Sequence, residues 1–337
     1  MKYPVPGETL DLIVVGSGPA GLVTLYEAKR HGLRAVAIDK GPVCAALLQH
    51  PTYMRWFSTV DKLELAGFPL LAEDKSPTRR EYLKYCVAFV RYFGLEVVAY
   101  QKVVNLVPLD GLFRVETQDM HGRPHTWRSR YAVVATGFYD NPRPLGVAGE
   151  DLPKVSHRFS EAHCYADQDV LVVGGGSSAA EAALELCRYG ARVTVAMRGA
   201  RFETKYWIEP DIENRIAEGA IACHRNTEVT AIRASEVVLR DAAGREIVLP
   251  NDFVLAMTGY EPDTSLLERA GAVVDPETKK PALTQTLEST VPGLYVAGTL
   301  CAGCESNVVF VENSREHGRL IVEGVLRRCG PGALSAP

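Results

Sequence analysis

The 337-residue chain is predicted to be an α/β protein, because one pattern of strand, glycine turn, helix and strand occurs in it twice. The first copy opens with the apolar run 12–15 and the spacing G-x-G-x-x-G at 16–21. The second opens with the apolar run 170–173 and the glycines of 174–176. Short continuous apolar runs are typical of buried parallel strands, and a glycine turn between such a strand and a helix indicates dinucleotide binding. The sequence therefore predicts two Rossmann-like domains.

The first glycine turn contains each part that a bound pyrophosphate and ribose require. Gly16, Gly18 and Gly21 permit a tight turn and a close backbone approach to the phosphates. Pro19 is tolerated because the first turn of a helix has no intrahelical acceptor for its missing N–H. The next strand ends on Asp39, whose carboxylate can accept hydrogen bonds from both ribose hydroxyls and would repel a 2′-phosphate. We therefore expect a non-phosphorylated adenosine here.

The second copy differs at the end of its second strand, where Arg198 stands in the place of Asp39. A guanidinium can pair with the oxygens of a ribose 2′-phosphate, so this site is expected to bind NADPH. Arg201 and Lys205 follow on the same loop, for which a solvated basic loop is the alternative interpretation. The residues expected to contact NADPH are Gly174, Gly176, Ser177, Ser178, Arg198, Arg201, Lys205 and Gly259.

Two dinucleotide sites in one chain indicate that the nicotinamide reduces a flavin, so FAD is assigned to the first site. Two later strands end in glycine, at Gly137 and Gly298, where the backbone can close on a ligand. For the aromatic segment 49–57, flavin contact and simple packing both stay open. The residues expected to contact FAD are Gly16, Gly18, Pro19, Ala20, Gly21, Asp39, Lys40, Gln49, Pro51, Thr52, Phe57, Val103, Thr136, Gly137 and Gly298.

Two features of the sequence predict the domain organisation: a hinge segment and a late strand that belongs to the first domain. Residues 141–153 are rich in proline and glycine, which is typical of a hinge, and the strand that ends at Gly298 returns the chain to the first domain. The NADPH domain, residues 146–261, is therefore expected to be inserted in a FAD domain of residues 1–145 and 262–337. Within the latter, a helix over 78–93 is predicted to bury one face, formed by Tyr82, Tyr85, Phe89 and Tyr92.

Composition excludes several classes of function. Hydrophobic residues make up 47% and charged residues 23% of the chain, and the net charge is −4 without a basic cluster that would bind nucleic acid. No apolar run approaches the roughly 20 residues of a membrane helix. Eight scattered cysteines do not form a disulfide framework, and residues 1–10 lack an apolar secretory segment. We therefore expect a cytoplasmic protein with neither nucleic acid nor membrane as a partner.

Nearly the whole chain resembles the low-molecular-weight thioredoxin reductase-like flavoproteins and, more narrowly, the bacillithiol disulfide reductases. The stretches that carry the likeness are HPTYMRWFSTVDKLEL, VVATGFYDNPRPLGVAGEDLPKVSHRFSEAH, NDFVLAMTGYEPD and VENSREHGRLI. The resemblance implies an NADPH-dependent FAD enzyme that reduces a small thiol disulfide and assembles as a homodimer or homotetramer.

The chain departs from these families at the positions of their redox cysteines. Thioredoxin reductases carry C-x-x-C before the second strand and glycine turn, where this chain has His157, Arg158, Phe159 and Ser160. The bacillithiol group suggests a cysteine within the first glycine turn, where this chain has Ala20. Thioredoxin reduction by the usual dithiol route is therefore not expected, and the substrate assignment loses one support.

Cys301 and Cys304 are the candidate catalytic residues, since they form a C-x-x-C pair directly after the strand that ends at Gly298. A helix N-terminus nearby is expected to lower the pKa of a thiol and to favour the thiolate. The alternative interpretation is that two small residues fill a crowded loop beside the cofactor. No second pair of ligands is spaced to join them, so no metal site is expected.

Three functions compete on this evidence. The favoured one is an NADPH- and FAD-dependent reductase of a low-molecular-weight disulfide such as bacillithiol disulfide, acting directly or through Cys301 and Cys304. A ferredoxin– or flavodoxin–NADP reductase has the same two-domain plan, needs no redox cysteine and passes electrons to a small carrier protein. A flavin-binding regulatory protein with low turnover is the third, and two intact nucleotide sites argue against it.

Overall fold

The computed structural model describes residues 8–305 and 308–329. The chain divides into two compact units. The first comprises Met1–Leu48, Tyr53–Asn141 and Tyr260–Pro337, and the second comprises Gln49–Thr52 and Pro142–Gly259. The chain passes from the first unit to the second after Asn141 and returns after Gly259, and residues 49–52 are also grouped with the second unit. Which nucleotide each unit holds stays a prediction.

In the part of the chain that the structure describes, fifteen strands and eight α-helices form the two units. The strands are β1 (Thr9–Val15), β2 (Ala35–Ile38), β3 (Val97–Val98), β4 (Gln101–Leu109), β5 (Leu112–Asp119), β6 (Pro124–Val134), β7 (Val155–Ser156), β8 (Asp169–Val173), β9 (Arg192–Ala196), β10 (Ile221–His224), β11 (Thr227–Ile232), β12 (Glu236–Asp241), β13 (Glu246–Pro250), β14 (Phe253–Ala256) and β15 (Leu294–Val296). The helices are α1 (Pro19–Arg30), α2 (Val60–Leu63), α3 (Arg79–Tyr92), α4 (Ser177–Arg188), α5 (Glu209–Ala217), α6 (Ser265–Arg269), α7 (Val311–Ser314) and α8 (His317–Cys329).

The first unit is built on a seven-stranded sheet in the order β3-β2-β1-β6-β5-β4, with β15 added on β6. Strands β3, β2, β1, β6 and β15 are parallel, and β4, β5 and β6 form an antiparallel meander. Val134 of β6 is in register with both Val15 and Val296. Three strands therefore end together, and the glycine-containing segments that follow them meet at one edge.

The second unit repeats this plan on a five-stranded parallel sheet in the order β10-β9-β8-β14-β7. Val173 of β8 is in register with Ala196 and Ala256, so these three strands also end together. A separate antiparallel sheet of β11, β12 and β13 completes the unit. Both cores consist of continuous apolar strands, as expected for parallel sheets that are covered on both faces.

Helix α3 shows how local sequence positions an element. Its N-terminus is a capping box, in which the Thr78 hydroxyl accepts from the Glu81 N–H and the Glu81 carboxylate accepts from the Thr78 N–H. The backbone N–H groups of Thr78 and Glu73, which both donate to the Glu81 carboxylate, lower its pKa to about 2. Tyr82, Tyr85 and Phe89 are buried, as predicted. The prediction for Tyr92 is wrong: its side chain is 73% exposed, because it lies in the last turn and packs over Phe68 at the surface.

Helix α8 closes the first unit by packing on α1. A Cβ added at Gly318 would lie 2.6 Å from the Val23 carbonyl oxygen, so the absence of a side chain allows the two helices to approach. None of the helices in residues 8–305 and 308–329 is both long and apolar enough to cross a bilayer.

Candidate functional site

The first glycine turn is packed tightly against the end of the neighbouring strand. Gly16 has a φ of +107°, and a Cβ there would lie 2.5 Å from the Ala135 carbonyl oxygen. A Cβ at Gly21 would lie 2.2 Å from the Gly16 carbonyl oxygen. A Cβ at Gly18, in contrast, would meet no atom within 4 Å. The turn is therefore closed toward the sheet and open at Gly18, where a ligand can approach the backbone.

Asp39 holds this turn in place from the end of β2. Its Oδ2 accepts hydrogen bonds from the Ser17 N–H at 2.7 Å and the Ser17 hydroxyl at 2.9 Å, and its Oδ1 accepts from the Gly41 N–H at 2.9 Å. These bonds use three of the roughly four acceptor directions of a carboxylate. A ribose can therefore bond Asp39 through the remaining direction, and through a second one if the Ser17 hydroxyl rotates away.

The start of α1 offers donors to an anion. No side chain caps this helix at Gly18, and Pro19 occupies its first position. The first-turn N–H groups have no intrahelical acceptor and lie at the positive end of the helix dipole. Ala20, in the same turn, faces Gly298, since a Cβ at Gly298 would lie 3.1 Å from the Ala20 Cβ. A Cβ at Gly137 would lie 3.5 Å from the Thr299 hydroxyl, so the ends of β6 and β15 also meet here.

The first unit also contains buried polar atoms that form no hydrogen bond to any described residue. Among them are the Thr136 hydroxyl oxygen, directly after β6, the Trp56 indole nitrogen and Oε2 of Glu312, whereas others, such as the Ser129 hydroxyl oxygen in β6, lie within the regular elements. Buried polar groups are normally hydrogen-bonded, and unpaired ones indicate a ligand or a functional role. Together with the open turn and the uncapped helix, they fit a unit that holds a dinucleotide with a polar ring system.

The other residues predicted for FAD lie in different surroundings. Lys40 forms an ion pair with Asp140, with 2.8 Å between Nζ and Oδ2. Val103 is buried in β4, whose first residue, Gln101, donates its N–H to the Asp39 carbonyl oxygen. Phe57 is 48% exposed.

Gln49, Pro51 and Thr52 are grouped with the second unit. Within that unit, Thr52 donates its N–H to the Ser160 carbonyl oxygen and its hydroxyl to the Glu161 carboxylate. A role of these three residues in FAD binding stays a prediction.

Cys301 and Cys304 are free thiols on the 3₁₀ turn and loop that follow β15. The Cys301 thiol donates to the Val296 carbonyl oxygen at 3.4 Å, and the Cys304 N–H donates to the Thr278 carbonyl oxygen at 2.7 Å. Burial raises the pKa of Cys301 to about 12. The expectation of a lowered thiol pKa is therefore wrong for Cys301, because the cost of burying a thiolate exceeds the stabilisation expected from a nearby helix end.

His317, at the start of α8, is a site residue that the sequence analysis missed. Its Nδ1 accepts a hydrogen bond from the Gly298 N–H at 3.1 Å and lies 3.9 Å from the Cys301 sulfur. Burial lowers the pKa of His317. The ring is therefore neutral near pH 7, and the bond at Nδ1 places its proton on Nε2. His317 thus fixes the backbone of the segment that contacts Ala20.

Ser17 is the second residue that sequence reasoning missed, although its position between two glycines of the first turn was a usable signal. Its backbone and hydroxyl carry the link from the turn to Asp39. His317 lies in the stretch VENSREHGRLI that carries the family resemblance, but nothing in that stretch indicated its contact with Gly298, 19 residues away. Across the described residues, no group of three or more His, Cys, Asp or Glu side chains is arranged to hold a metal ion.

The second glycine turn repeats the geometry of the first. Gly174 has a φ of +141°, and a Cβ there would lie 2.4 Å from the Met257 carbonyl oxygen. A Cβ at Gly176 would meet no atom within 4 Å, and no side chain caps α4. Ser177 and Ser178 form the first turn of that helix. This turn can therefore also hold a pyrophosphate.

The loop after β9 carries the predicted basic residues. Arg198 and Arg201 are exposed, and neither has a carboxylate within ion-pair distance among the residues that the structure describes. The Lys205 N–H donates to the Ser177 hydroxyl at 3.4 Å, which ties the loop to the glycine turn. Gly259 belongs to the segment that follows β14 and not to this loop, and its carbonyl oxygen accepts from the Arg143 N–H. The arrangement places two available guanidinium groups in the loop beside an anion-binding turn.

Comparison with known proteins gives one family and several relatives of similar length. A family model described as pyridine nucleotide-disulphide oxidoreductase matches residues 13–298. Bacilliredoxin reductase Bdr of Bacillus subtilis (strain 168) is 38% identical over 323 residues, which are 94% of this chain and 97% of the relative. A ferredoxin–NADP reductase of Ignicoccus hospitalis is 25% identical over 295 residues, which are 86% of this chain and 90% of the relative.

Solved structures agree with these sequence relatives. Bacillithiol disulfide reductase Bdr from Bacillus cereus superposes with a TM-score of 0.93 at 36% identity, covering 95% of this chain and 100% of that one. Thioredoxin reductase of T. acidophilum superposes with a TM-score of 0.72 at 21% identity, covering 95% of this chain and 98% of that one, which shows a common fold. The predicted thioredoxin reductase-like α/β fold with Rossmann-like parallel sheets is therefore confirmed.

The contact between His317 and Gly298 leads to a pH-dependent prediction. Burial lowers the folded-state pKa of His317 below the unfolded value of about 6.5. The neutral ring's contribution to stability is present in full above that value and is lost as the pH falls through it and through the lowered folded-state pKa. His317→Ala should destabilise the FAD-loaded protein by about 1 kcal/mol at pH 7.5, the net value of one hydrogen bond, and by less at pH 5.5.

Urea unfolding of the wild type and the variant at both pH values measures this difference. His317→Asn is the matched control, since its side chain can place an acceptor near the position of Nδ1 without a titrating ring. It should retain most of the stability at pH 7.5 and follow the pH dependence of His317→Ala. A gap between the wild type and His317→Ala that is the same at both pH values would contradict the role assigned to the neutral ring.

Proposed function

The chain belongs to the pyridine nucleotide-disulphide oxidoreductase family, and we propose that it reduces a low-molecular-weight thiol disulfide, with bacillithiol disulfide as the candidate substrate. The protein is an enzyme, a flavin oxidoreductase that uses FAD and a nicotinamide nucleotide. We propose NADPH rather than NADH as the electron donor. The assignment of each nucleotide to a unit and the route of the electrons rest on residues of this chain.

One observation carries the proposed reaction. The likeness to the bacillithiol disulfide reductase from Bacillus cereus extends over all of that chain, at 36% identity and a TM-score of 0.93. A likeness of this extent includes both glycine turns and the segments between them, whereas the thioredoxin reductase neighbour is similar at only 21% identity. The disulfide of a small thiol is therefore the substrate class that we propose.

The charged side chains of each unit decide which nucleotide we assign to it. In the first unit, the uncapped start of α1 would hold the pyrophosphate of FAD, and Asp39 would bond the ribose and disfavour a 2′-phosphate. In the second unit, the start of α4 would hold the other pyrophosphate, and Arg198 would pair with the 2′-phosphate of NADPH. Bound FAD supplies a two-electron relay between the nicotinamide and the acceptor.

We propose that electrons leave the flavin directly for the substrate disulfide. Ala20 removes the thiol that the resemblance suggests for the first turn, and the raised pKa of Cys301 keeps its thiol protonated near neutral pH. Thiol–disulfide exchange requires a thiolate, so a protonated Cys301 is a poor relay. A route through Cys301 and Cys304 stays the alternative.

A ferredoxin– or flavodoxin–NADP reductase is the second candidate function, and the same cysteine chemistry favours it. A reductase of this kind passes electrons to a small carrier protein and needs no reactive thiol, and the Ignicoccus hospitalis relative with that name is similar over 86% of this chain. Its lower identity, 25% against 38% for the bacilliredoxin reductase, places it second.

We also propose a cytoplasmic homodimer or homotetramer. The support for the compartment is chemical: the seven cysteines whose side chains are described are all free thiols, and free thiols persist in a reducing compartment. The support for the assembly is the family resemblance.

The proposed reaction is tested by comparing electron acceptors. The FAD-loaded enzyme should oxidise NADPH with bacillithiol disulfide at least tenfold faster, in kcat/KM, than with glutathione disulfide or an oxidised [2Fe–2S] ferredoxin, since about 1.4 kcal/mol of transition-state discrimination suffices. NADPH absorbance under anaerobic conditions is the measurement. Ferredoxin as the best acceptor would support the second candidate, and no turnover with any acceptor would overturn both.

Arg198 should decide between NADPH and NADH. Arg198→Ala should lower kcat/KM for NADPH about ten- to a hundredfold, because one or two charge-assisted hydrogen bonds to the 2′-phosphate are lost, and it should leave kcat/KM for NADH nearly unchanged. Arg240→Ala is the matched control, since Arg240 is an exposed arginine on β12 of the same unit. Equal losses with both nucleotides would contradict the assignment of Arg198.

A further inference from the structure

The loop between β9 and α5 carries a pair of exposed aromatic rings that no role has yet explained. Tyr206 is 81% exposed and Trp207 is 47% exposed. Their rings meet edge to face, with centroids 4.9 Å apart. The Lys205 ammonium lies 5.4 Å from the centre of the Trp207 ring. Large aromatic side chains left in water beside an anion-binding turn indicate a surface that a ligand covers.

The backbone before this pair is tied to the glycine turn. The Glu203 N–H donates to the Gly175 carbonyl oxygen at 2.8 Å, and the Lys205 N–H donates to the Ser177 hydroxyl at 3.4 Å. Ile208, directly after the pair, is buried and precedes the first turn of α5. The aromatic rings are therefore held next to the turn that we assign to the pyrophosphate.

The earlier part of the loop is tied to the opposite side, at the end of β10. The Asn226 N–H donates to the Gly199 carbonyl oxygen at 3.1 Å, and Nη1 of Arg225 donates to the Ala200 carbonyl oxygen at 3.0 Å. Nη2 of Arg225 donates to both carboxylate oxygens of Glu213, at 2.9 and 2.7 Å, which holds the guanidinium in place. The loop thus spans the carboxyl ends of β9 and β10 with both of its sides anchored.

The order of the strands in the sheet indicates which half of a bound dinucleotide would lie beside Tyr206 and Trp207. Strands β8, β9 and β10 follow one another in the sheet, and α5 leads outward from β9 to β10. Arg198 and Trp207 both belong to the segment that connects β9 to α5, which therefore begins at the carboxyl end of β9, on the β10 side of β8. In a dinucleotide fold the adenosine ribose lies at the end of the second strand, here β9, and the nicotinamide lies on the other side of the first strand.

We propose that Tyr206 and Trp207 form a stacking surface for the adenine base of the nicotinamide nucleotide, next to the 2′-phosphate site of Arg198. Purines stack on aromatic faces, and Lys205 beside Trp207 adds a positive charge near the phosphates. This inference rests on the proposed placement of that nucleotide in the second unit.

The ligand that tests this proposal is 2′,5′-ADP, which has the adenine and the 2′-phosphate but no nicotinamide. Trp207→Ala in the oxidised, FAD-loaded protein should weaken the binding of 2′,5′-ADP and of NADP⁺, which cannot reduce the flavin, by the same factor of about ten, since the base is common to both and a lost stacking contact is of this size. Trp207→Phe should bind within about twofold of the wild type, because a phenyl ring still stacks. Isothermal titration calorimetry gives the dissociation constants without turnover.

Tyr189→Ala is the matched control. Tyr189 is 44% exposed in the same unit, but it follows the last residue of α4, about 18 Å along the helix from Ser177 at 1.5 Å per residue. Its removal should leave both dissociation constants unchanged. Tryptophan fluorescence is the second readout: 2′,5′-ADP should quench the wild type and not Trp207→Phe, since Trp127 is buried and Trp56 lies in the first unit.

The outcomes separate this inference from the function on which it rests. If the wild type binds 2′,5′-ADP and Trp207→Ala binds it equally well, the stacking surface is overturned and the nucleotide placement stands. If Trp207→Ala weakens NADP⁺ but not 2′,5′-ADP, the rings contact the nicotinamide half and the proposal is wrong. If the wild type does not bind 2′,5′-ADP at all, the placement itself fails and the inference fails with it.

Discussion

The close approach of a glycine turn to the end of the neighbouring strand is the constraint on which both units depend. A Cβ at Gly16 or at Gly174 would lie within 2.5 Å of a carbonyl oxygen on the adjacent strand end. Real Cβ atoms do not come that close, so a side chain at either position would force the strand end outward. Because the turn is pressed against the sheet, the following helix starts with uncapped N–H groups beside open space. The anion sites are therefore a product of sheet packing.

The two units differ in the charge that stands at the end of the second strand. Asp39 accepts hydrogen bonds from Ser17 and Gly41 and so holds the first glycine turn, which gives the carboxylate a structural role besides the ribose contact that we propose for it. Arg198 forms no ion pair with any described residue, and its loop is held instead by Arg225 and by contacts with the glycine turn. On this difference of charge, between one acidic and one basic strand end, we base the proposal that the two similar units bind different nucleotides.

The repeated glycine pattern was predictable from the sequence because its geometry is local: spacing, strand and helix lie within about thirty residues. The contacts that complete the site were not predictable from the sequence. Ser17 and Asp39 are 22 residues apart, and His317 meets Gly298 across 19 residues. The expectation of a lowered pKa at Cys301 is wrong, because burial dominates the pKa of this thiol and cannot be inferred from C-x-x-C spacing; a redox role of the pair stays a prediction. Tyr92 was placed in the core by its periodicity, but the helix ends there and its ring lies at the surface.

The central claim of this account is that the flavin passes electrons to the acceptor without a thiol relay. An anaerobic titration of the oxidised, FAD-loaded enzyme with NADPH, followed at the flavin absorbance, tests it directly. The account predicts complete bleaching with about one equivalent of NADPH per flavin, since FAD is then the sole two-electron centre. A requirement for about two equivalents, falling to one when Cys301→Ser and Cys304→Ser are combined, would contradict it and would show that the two cysteines form a redox-active disulfide.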